Sequence, residues 1–411
     1  MQNGTTQKRA PRHVRILGAA LLCTFAAPGA ALADSGRHEL KTGIDSGFVM
    51  TNTPLTSWID GGLGKLRYDE QNDGLALYQA FIDYKGRITP TLNFQGTLVY
   101  NPELSNNLDV TEAFFEFRPI PTSRWSTRWR LGAFYPHISL ENVDVAWSSP
   151  YTLSSSTINT WLAEEIRAVG LEGKLLREFG PDSRHRVSVE GAVFYMNDPT
   201  GALLTAKGWS VHNRQTGLRG ELPLWFDSEF EPFQELDHSA GYYLGAEYEY
   251  NRRVKLRYHY YDNRGDQYQG PSWGDTWFTY FHATGLQLGL PGEVGFIGQW
   301  IDGHTLWQGI DNTYGAWSAL LTRSFGRHRV SARYDNFTLD RPQAGLPDLS
   351  LDEGSAWTVA WLFNWSESLR LGVEYVTIES TRPNFAFAGL PNTLDESQIM
   401  FSLRYVHSNL N

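Results

Sequence analysis

The stretch Glu396-Ser397-Gln398-Ile399-Met400-Phe401-Ser402-Leu403-Arg404-Tyr405-Val406-His407 decides the fold. Ile399, Phe401, Leu403 and Tyr405 fall on one face, and Gln398, Met400, Ser402 and Arg404 on the other. A strand alternates in this way when one side meets an apolar medium and the other meets water. Back from this stretch to about Trp58, short segments repeat the alternation, and almost every second connection is a turn of a few residues. In lipid an open sheet edge would leave a row of backbone groups unpaired, so such a series must close on itself. The expected fold class is all-β, a transmembrane antiparallel β-barrel with short periplasmic turns and long outer loops. A soluble β-sandwich shares the period, but not the strand length of ten or more residues nor the aromatic apolar faces.

The first 33 residues read as a secretory signal. Lys8, Arg9, Arg12 and Arg15 form a basic region, Ile16 to Ala27 an apolar one, and Ala31-Leu32-Ala33 a small-x-small cleavage site. The apolar run is too short for a membrane helix. Cys23, the one cysteine of the chain, lies within it, so the mature protein is expected to have no thiol or disulfide. Of the 35 basic residues four belong to this leader, which leaves 31 against 45 acidic ones, a balance of −14. Such a charge argues against nucleic acid as a partner. Residues 34–56 read as an extended N-terminal segment and 57–411 as a single barrel domain, since no linker or low-complexity tract divides them. The 14% aromatic content suits anchorage at two membrane interfaces.

Tight turns are expected at Lys85-Gly86-Arg87, Gly180-Pro181-Asp182-Ser183, Asn251-Arg252, Pro291-Gly292-Glu293, Gly326-Arg327 and Ser366-Glu367-Ser368, and a longer one from Pro119 to Ser126. They place strands at 57–68, 75–84, 88–100, 109–118, 127–136, 166–178, 184–196, 239–251, 253–262, 279–290, 294–302, 314–325, 328–340, 355–365, 369–380 and 396–407. That is about sixteen. Glu39 to Val49 and Gln215 to Trp225 compete for strand status, so eighteen is the alternative count; the second is assigned to an outer loop.

A barrel this wide leaves room for an aqueous lumen. The expected inward faces carry Arg128, Arg130, Lys174, Arg186, Lys255, Arg257, Arg329, Arg333, Arg370 and Arg404, opposed by Asp83, Glu112, Glu116, Glu172, Glu190, Asp335 and Glu374. Arg128, Arg130, Arg186, Lys255, Arg257, Arg329, Arg333, Arg370, Arg404, Glu112, Glu116 and Glu374 are the candidate pore-lining residues. Their basic surplus leans toward anions; pairing of opposite charges across the wall is the equally weighted alternative. Phe81, Phe114, Phe134, Phe194 and Tyr261 also fall inward and would favour sugars by stacking.

Two outer loops are long: His137 to Glu165 has 29 residues and Asn197 to His238 has 42. Loops of this length usually do something. Folded inward, the first would place Asp144, Trp147, Asn159, Trp161, Glu164, Glu165 and Arg167 at a constriction, with the hydroxyls of Ser154-Ser155-Ser156-Thr157 bonding the wall. The alternative is an outward cap.

Chemistry leaves few marks. No H-E-x-x-H or G-x-S-x-G occurs. His259, between Arg257 and Tyr261, reads as a lumen side chain, and Asp262-Asn263-Arg264-Gly265-Asp266 as a solvated turn without the ligand spacing of a calcium loop. No catalytic residue, metal site or cofactor is expected.

The leader, the sixteen-strand hairpin series and the extended third loop together resemble the general porins of Gram-negative outer membranes. Lys85-Gly86-Arg87 with the basic inward ladder is similar to phosphate-selective porins. The resemblance covers nearly all of the mature chain. It implies a third loop, 137–165, that bends into the barrel, passive diffusion of small hydrophilic solutes across the outer membrane, outer-membrane lipid around the wall, and a homotrimer. The competing classes are a specific transporter for a larger solute with a plugged lumen, and a barrel hydrolase. One departure is that Tyr405 is followed by Val406-His407-Ser408-Asn409-Leu410-Asn411, where such barrels often end on an aromatic residue.

Overall fold

The computed structural model describes residues 37–409 except 104–105, 181, 183, 227, 271 and 342–350. The expected signal peptide lies outside the described residues. The strands are β1 (His38–Thr51), β2 (Gly74–Arg87), β3 (Leu92–Tyr100), β4 (Leu108–Phe117), β5 (Trp125–Phe134), β6 (Ala168–Phe179), β7 (His185–Tyr195), β8 (Leu222–Leu224) and β9 (Ser228–Phe230). They continue with β10 (Gly241–Tyr250), β11 (Val254–Asp262), β12 (Phe278–Leu290), β13 (Val294–Trp307), β14 (Ile310–Phe325), β15 (His328–Asp340), β16 (Asp352–Asn364), β17 (Leu369–Thr381) and β18 (Thr393–Ser408). Two helices, α1 (Thr157–Glu165) and α2 (Ala202–Lys207), sit in loops. Among the described residues no helix is long and apolar enough to cross a membrane.

Sixteen of the strands close an antiparallel barrel, while β8 and β9 form a separate hairpin in a loop. The seam joins β1 to β18, from Lys41 opposite Ser408 to Thr51 opposite Gln398. The tail from Val406 to Asn409 belongs to this seam, since Asn409 donates from Nδ2 to His38 O at 3.1 Å and accepts from Leu40 N at 2.9 Å. Reversals at one end are short. Asn251 and Arg252 both take positive φ, 51° and 56°, the backbone that lets a two-residue hairpin follow the twist of its strands.

The alternation of β18 is realised in burial. Phe401, Leu403 and Tyr405 are exposed, whereas Met400, Ser402 and Arg404 are buried. Exposed apolar side chains continue around the wall, among them Leu131, Leu171, Val189, Leu244, Leu256, Leu321 and Val359, with Trp129, Trp300, Trp317 and Trp357 between them. An apolar surface that encircles a closed barrel fits lipid rather than water.

Four sequence expectations bear on the fold, and three of them need correction. The first barrel strand is His38–Thr51, inside the stretch read as a separate N-terminal segment, and 57–68 is no strand. That stretch holds a 3-10 turn, Trp58–Asp60, with Trp58, Leu63 and Leu66 buried. Its apolar residues meet the barrel interior rather than lipid, and both media favour the same residue types. Second, β2 continues through Lys85-Gly86-Arg87, and the reversal lies at 88–91, where Ile88 N and Thr89 N both donate to Leu92 O. Proline at 90 has no amide to give a ladder. Third, β13 and β14 run on to a two-residue turn, Gln308-Gly309, with φ of 51° and 77°. Their alternation fades after Trp300 because the outer face changes to Asp302 and His304. Fourth, Gln215–Trp225 stays outside the barrel, as expected, but contributes β8.

The main core lies inside the barrel. Phe114, Phe134, Phe194, Tyr243, Tyr261, Phe281 and Tyr314 of the wall pack with Ile158, Trp161 and Leu162 of α1 and with Leu204 and Trp209 of the 196–240 loop. The inward aromatics thus hold loops, which corrects their assignment to sugar stacking; Phe81 packs with Val99 and Ala146. Full burial of such a side chain contributes about 1.5–3 kcal/mol.

Candidate functional site

At the loop end the connections 52–73, 135–167 and 196–240 turn into the lumen. The second crosses to the opposite wall. Arg333 of β15 donates from Nη1 to Glu141 Oε1 at 2.6 Å and to Ser154 O at 2.9 Å, from Nη2 to Ser155 O at 2.9 Å, and from Nε to Asp335 Oδ2 at 2.8 Å. Arg329 reaches Pro150 O at 2.6 Å, Arg257 reaches Ser139 O at 2.8 Å and Arg404 reaches Val145 O at 3.2 Å. Glu374 accepts from Leu153 N at 2.6 Å and Ser154 N at 2.9 Å, and Gln299 Oε1 accepts from Leu140 N at 3.2 Å. The loop's backbone polar groups, which a buried loop cannot leave unpaired, are thereby satisfied by polar and charged wall residues.

The third inward connection locks onto the second. Ser156 caps α1, its Oγ accepting from Asn159 N at 3.3 Å. At the far end of α1 Glu165 accepts from Leu203 N at 2.9 Å, Leu204 N at 3.1 Å and Gly201 N at 3.1 Å, and from Trp161 Nε1 at 2.5 Å. Burial pushes the Glu165 carboxyl up to about 7. Glu164 meets His212 Nε2 at 2.7 Å and Lys207 Nζ at 2.9 Å. Burial works against its charge, yet Lys207 and His212 outweigh that and hold the carboxyl below its ordinary value. His212 itself is pushed down to about 4 by burial. α2 can press against the wall because Gly201 and Gly208 bracket it at φ of 96° and 74°; a Cβ at Gly208 would stand 2.1 Å from Asp352 Oδ2.

The 52–73 connection completes the filling. Lys65 Nζ pairs with Asp352 at 2.5 Å, and its backbone N donates to Glu396 Oε1 at 3.0 Å. Burial brings the Lys65 ammonium down to about 8 against the pull of Asp352. Trp58 stacks on His212 with ring centroids 5.0 Å apart.

The candidate lining residues all lie on the inner face, but the basic ladder, apart from Arg329, which bonds Pro150 O and Ser324 Oγ, is a set of pairs. Arg130 meets Glu172 at 2.6 Å and Arg128 meets it at 3.1 Å; Lys174 meets Glu190 at 3.0 Å. Arg186 and Lys255 approach Glu249 at 3.3 and 3.7 Å, Arg257 pairs with Glu247, and Arg404 meets Asp45 at 2.9 Å. Glu116 pairs with Arg118 at 2.7 Å, Glu112 accepts from Tyr135 N at 3.1 Å, and Arg370 stands 3.8 Å from Asp144. Pairing across the wall, the alternative reading of the ladder, is what these distances describe.

Of the seven constriction candidates, Asp144 and Trp147 stay partly exposed, and Trp147 stacks on Tyr135 at 4.2 Å. Asn159, Trp161, Glu164, Glu165 and Arg167 are fully buried within the packed loops and do not border open space. Arg167 lies 3.4 Å over the Tyr135 ring and donates to Thr216 O at 2.8 Å. Glu141, Lys65, Asp352 and Arg214 are central to the lumen, and nothing in the sequence pattern singles them out. Periodicity carries no information in loops, and the contacts that fix these side chains come from distant stretches, as Lys65 with Asp352 and Glu141 with Arg333 do.

Among the described residues two groups of acidic and histidine side chains come close enough to share an ion. His137, Glu172 and Glu190 gather on the wall, where Arg130, Arg128 and Lys174 already supply the positive charge and burial pushes His137 down to about 3. His259 bonds Glu190 at 2.8 Å in the same cluster. Asp198, Glu235 and Asp237 form the other group, and all three anchor backbone amides.

The lumen is asymmetric. Near the short turns Lys174, Arg186, Glu178 and Lys255 keep side-chain exposures of 15–36%, while Arg333, Asp335 and Lys65 toward the loops have none. Charged side chains therefore stay partly accessible at the turn end and are enclosed toward the loops.

No protein-family model matches the chain, and no curated protein matches it in sequence. Solved structures do. OmpF of Salmonella typhi, in complex with daunomycin, aligns over 91% of this chain and 98% of its own, with a TM-score of 0.52 and 12% identity. A loop-deletion mutant of OmpT, an outer membrane protein of Vibrio cholerae, aligns over 91% and 100% with a TM-score of 0.51 and 10% identity. With its closed ring of sixteen antiparallel strands, the chain has the fold of the Gram-negative outer-membrane porins.

Proposed function

We propose that the chain is a passive outer-membrane channel for small hydrophilic solutes, whose throughput is set by three loops folded into the outer half of the barrel. The observation that carries this reading is the asymmetry of the lumen: partly accessible charged side chains at the turn end and a packed outer half. Ionised side chains at that end favour water and polar solutes over apolar ones. The long-loop end faces outward and the short-turn end the periplasm, as in barrels of this architecture. The anion lean is retained only weakly, because most of the ladder is neutralised by neighbouring carboxylates. Leader cleavage, a homotrimer and the absence of a chemical step belong to the same proposal.

A second reading is favoured by the filled outer half itself: a transporter for one larger solute, in which the loops act as a plug. Planar-bilayer recording of the refolded chain, residues 34–411, separates the two. Discrete conductance steps without added solute support the passive channel. A folded barrel that never conducts overturns it and leaves the plugged transporter.

A further inference from the structure

At the loop end a row of aromatic rings runs from the β17–β18 side of the barrel to the β11–β12 side. Phe387 of the 382–392 connection stacks on Trp225, with centroids 5.3 Å apart and planes 19° from parallel. Trp225 meets Phe226 at 5.4 Å and 87°, and Phe226 meets Trp273 of the 263–277 connection at 5.9 Å and 72°. Trp273 continues the row to Trp307 at 5.3 Å. Trp225 and Phe226 follow β8 into the turn of the β8–β9 hairpin, so this hairpin carries the middle of the row.

Part of the row is anchored and part is open. Trp225 packs against Leu55, Leu63 and Phe385, and Trp273 donates from Nε1 to Ala202 O at 3.1 Å. Phe387 is 62% exposed and Phe226 39%. These residues belong to the connections rather than to the wall, so lipid does not account for their exposure, and an open apolar patch with a polar rim marks a contact surface. Trp225 and Trp273 both stand steeply to Phe226, which makes corners of rings whose faces carry negative charge density. The rim has the matching sign. Among the described residues of the 52–73, 196–240 and 263–277 connections, the exposed carboxylates are Asp60, Glu70, Asp73, Glu229, Glu231 and Asp266, against Arg219 and Arg264. Glu229 lies opposite Pro223 in the hairpin that carries the rings.

We propose that this row is a docking site for a quaternary ammonium solute, with Trp225, Phe226 and Trp273 meeting its methyl groups and the acidic rim drawing its charge. Such a cation has no N–H to donate and is recognised by ring faces. A surface of one sign raises the local concentration of solutes of the other. A saccharide would stack on the same rings but gain nothing from the net charge around them. The site goes beyond the passive channel, which sets no preference of this kind among polar solutes.

The test is titration calorimetry of the full mature chain in detergent. Choline is the probe, beside the uncharged alcohol in which carbon replaces its nitrogen, and maltotriose as a neutral saccharide. Choline is expected to bind at least about tenfold more tightly than the uncharged isostere, which is what two cation–π contacts contribute, and to bind more weakly as salt rises. Phe226→Leu keeps an apolar side chain and removes the ring shared by both corners. It is expected to lower choline affinity about threefold or more, the share of one such contact, with an unchanged melting temperature. Glu229→Gln combined with Glu231→Gln leaves the rings in place and is expected to weaken choline binding and flatten its salt dependence. Choline that binds no better than its isostere, maltotriose that binds more tightly than choline, or choline affinity unchanged in both variants overturns the site. Should Phe226→Leu lower the melting temperature as well, the carboxylate variant decides, and unchanged choline affinity there overturns the site.

Discussion

Arg333 of β15 and Glu141 of the 135–167 loop meet at 2.6 Å with side-chain exposures of 0% and 2%, which makes a loop from one side of the barrel part of the wall on the other. The same guanidinium binds Asp335 and two loop carbonyls, so it is a clamp rather than a free charge in the solute path. Removing one partner of a buried pair strands the other.

Arg333→Met is therefore expected to destabilise the barrel by about 3–5 kcal/mol, the usual consequence of leaving buried carboxylates without their cation. Glu141→Gln, which keeps an acceptor, should cost less. Denaturant unfolding in detergent, followed by tryptophan fluorescence, checks both; equal stability of Arg333→Met and the parent would mean that the clamp does not hold the loop.

Selectivity should respond unequally along the ladder. Arg329 is partly exposed and its bonds are to Pro150 O and Ser324 Oγ, whereas Arg333 is enclosed. Arg329→Glu is expected to move the reversal potential in a salt gradient toward cations, since charges lining a lumen act where water screens poorly. Arg257→Gln, which leaves Glu247 without its partner, should move it the same way. An unchanged potential in both would take these residues out of the path.

The contact between the two long loops should weaken in acid. His212 is held neutral by burial, with its proton affinity lowered from 6.5 to about 4. The unfolded chain then binds more protons than the folded one between those values, so stability rises with pH through this window and is lost as pH falls through it. Glu165 works in the opposite sense. Its carboxyl is raised from 4.5 to about 7, so the folded chain binds more protons and stability falls as pH rises between them. His212→Gln should flatten the acid side of a melting-temperature profile and Glu165→Gln the neutral side. Profiles parallel to the parent's in both variants would contradict the burial of these groups.

Gly208 offers a steric test. Its φ of 74°, and the 2.1 Å that would separate an added Cβ from Asp352 Oδ2, leave no room for a side chain beside the Lys65–Asp352 pair. Gly208→Ala is expected to destabilise by more than about 1 kcal/mol, beyond the backbone term alone. A neutral outcome in thermal unfolding would mean that α2 is not pressed against the wall.

The wall is far more legible in the sequence than its contents. β18 announces itself because lipid and lumen impose opposite demands on successive residues, and inward Arg257, Arg333 and Glu374 follow from that period. β1 is harder to see, since its outer face carries Thr42 and Ser46 among Leu40, Ile44 and Phe48. The segment 57–68 imitates a strand because Trp58, Leu63 and Leu66 are buried in a filled lumen, and burial there selects the residues that lipid selects. Glu141 and Arg214 leave no such trace: each owes its place to loops that fold across the barrel, and no local pattern records which distant wall they reach.

The most direct measurement is the single-channel conductance of the refolded mature chain beside a variant lacking Ser149 to Asn159, the segment that carries the Arg333 and Glu374 contacts. If the inward loops set the throughput, the parent gives small discrete steps and the deletion several-fold larger ones. Equal conductance in the two, or a folded deletion barrel that still does not conduct, would contradict that control by the loops.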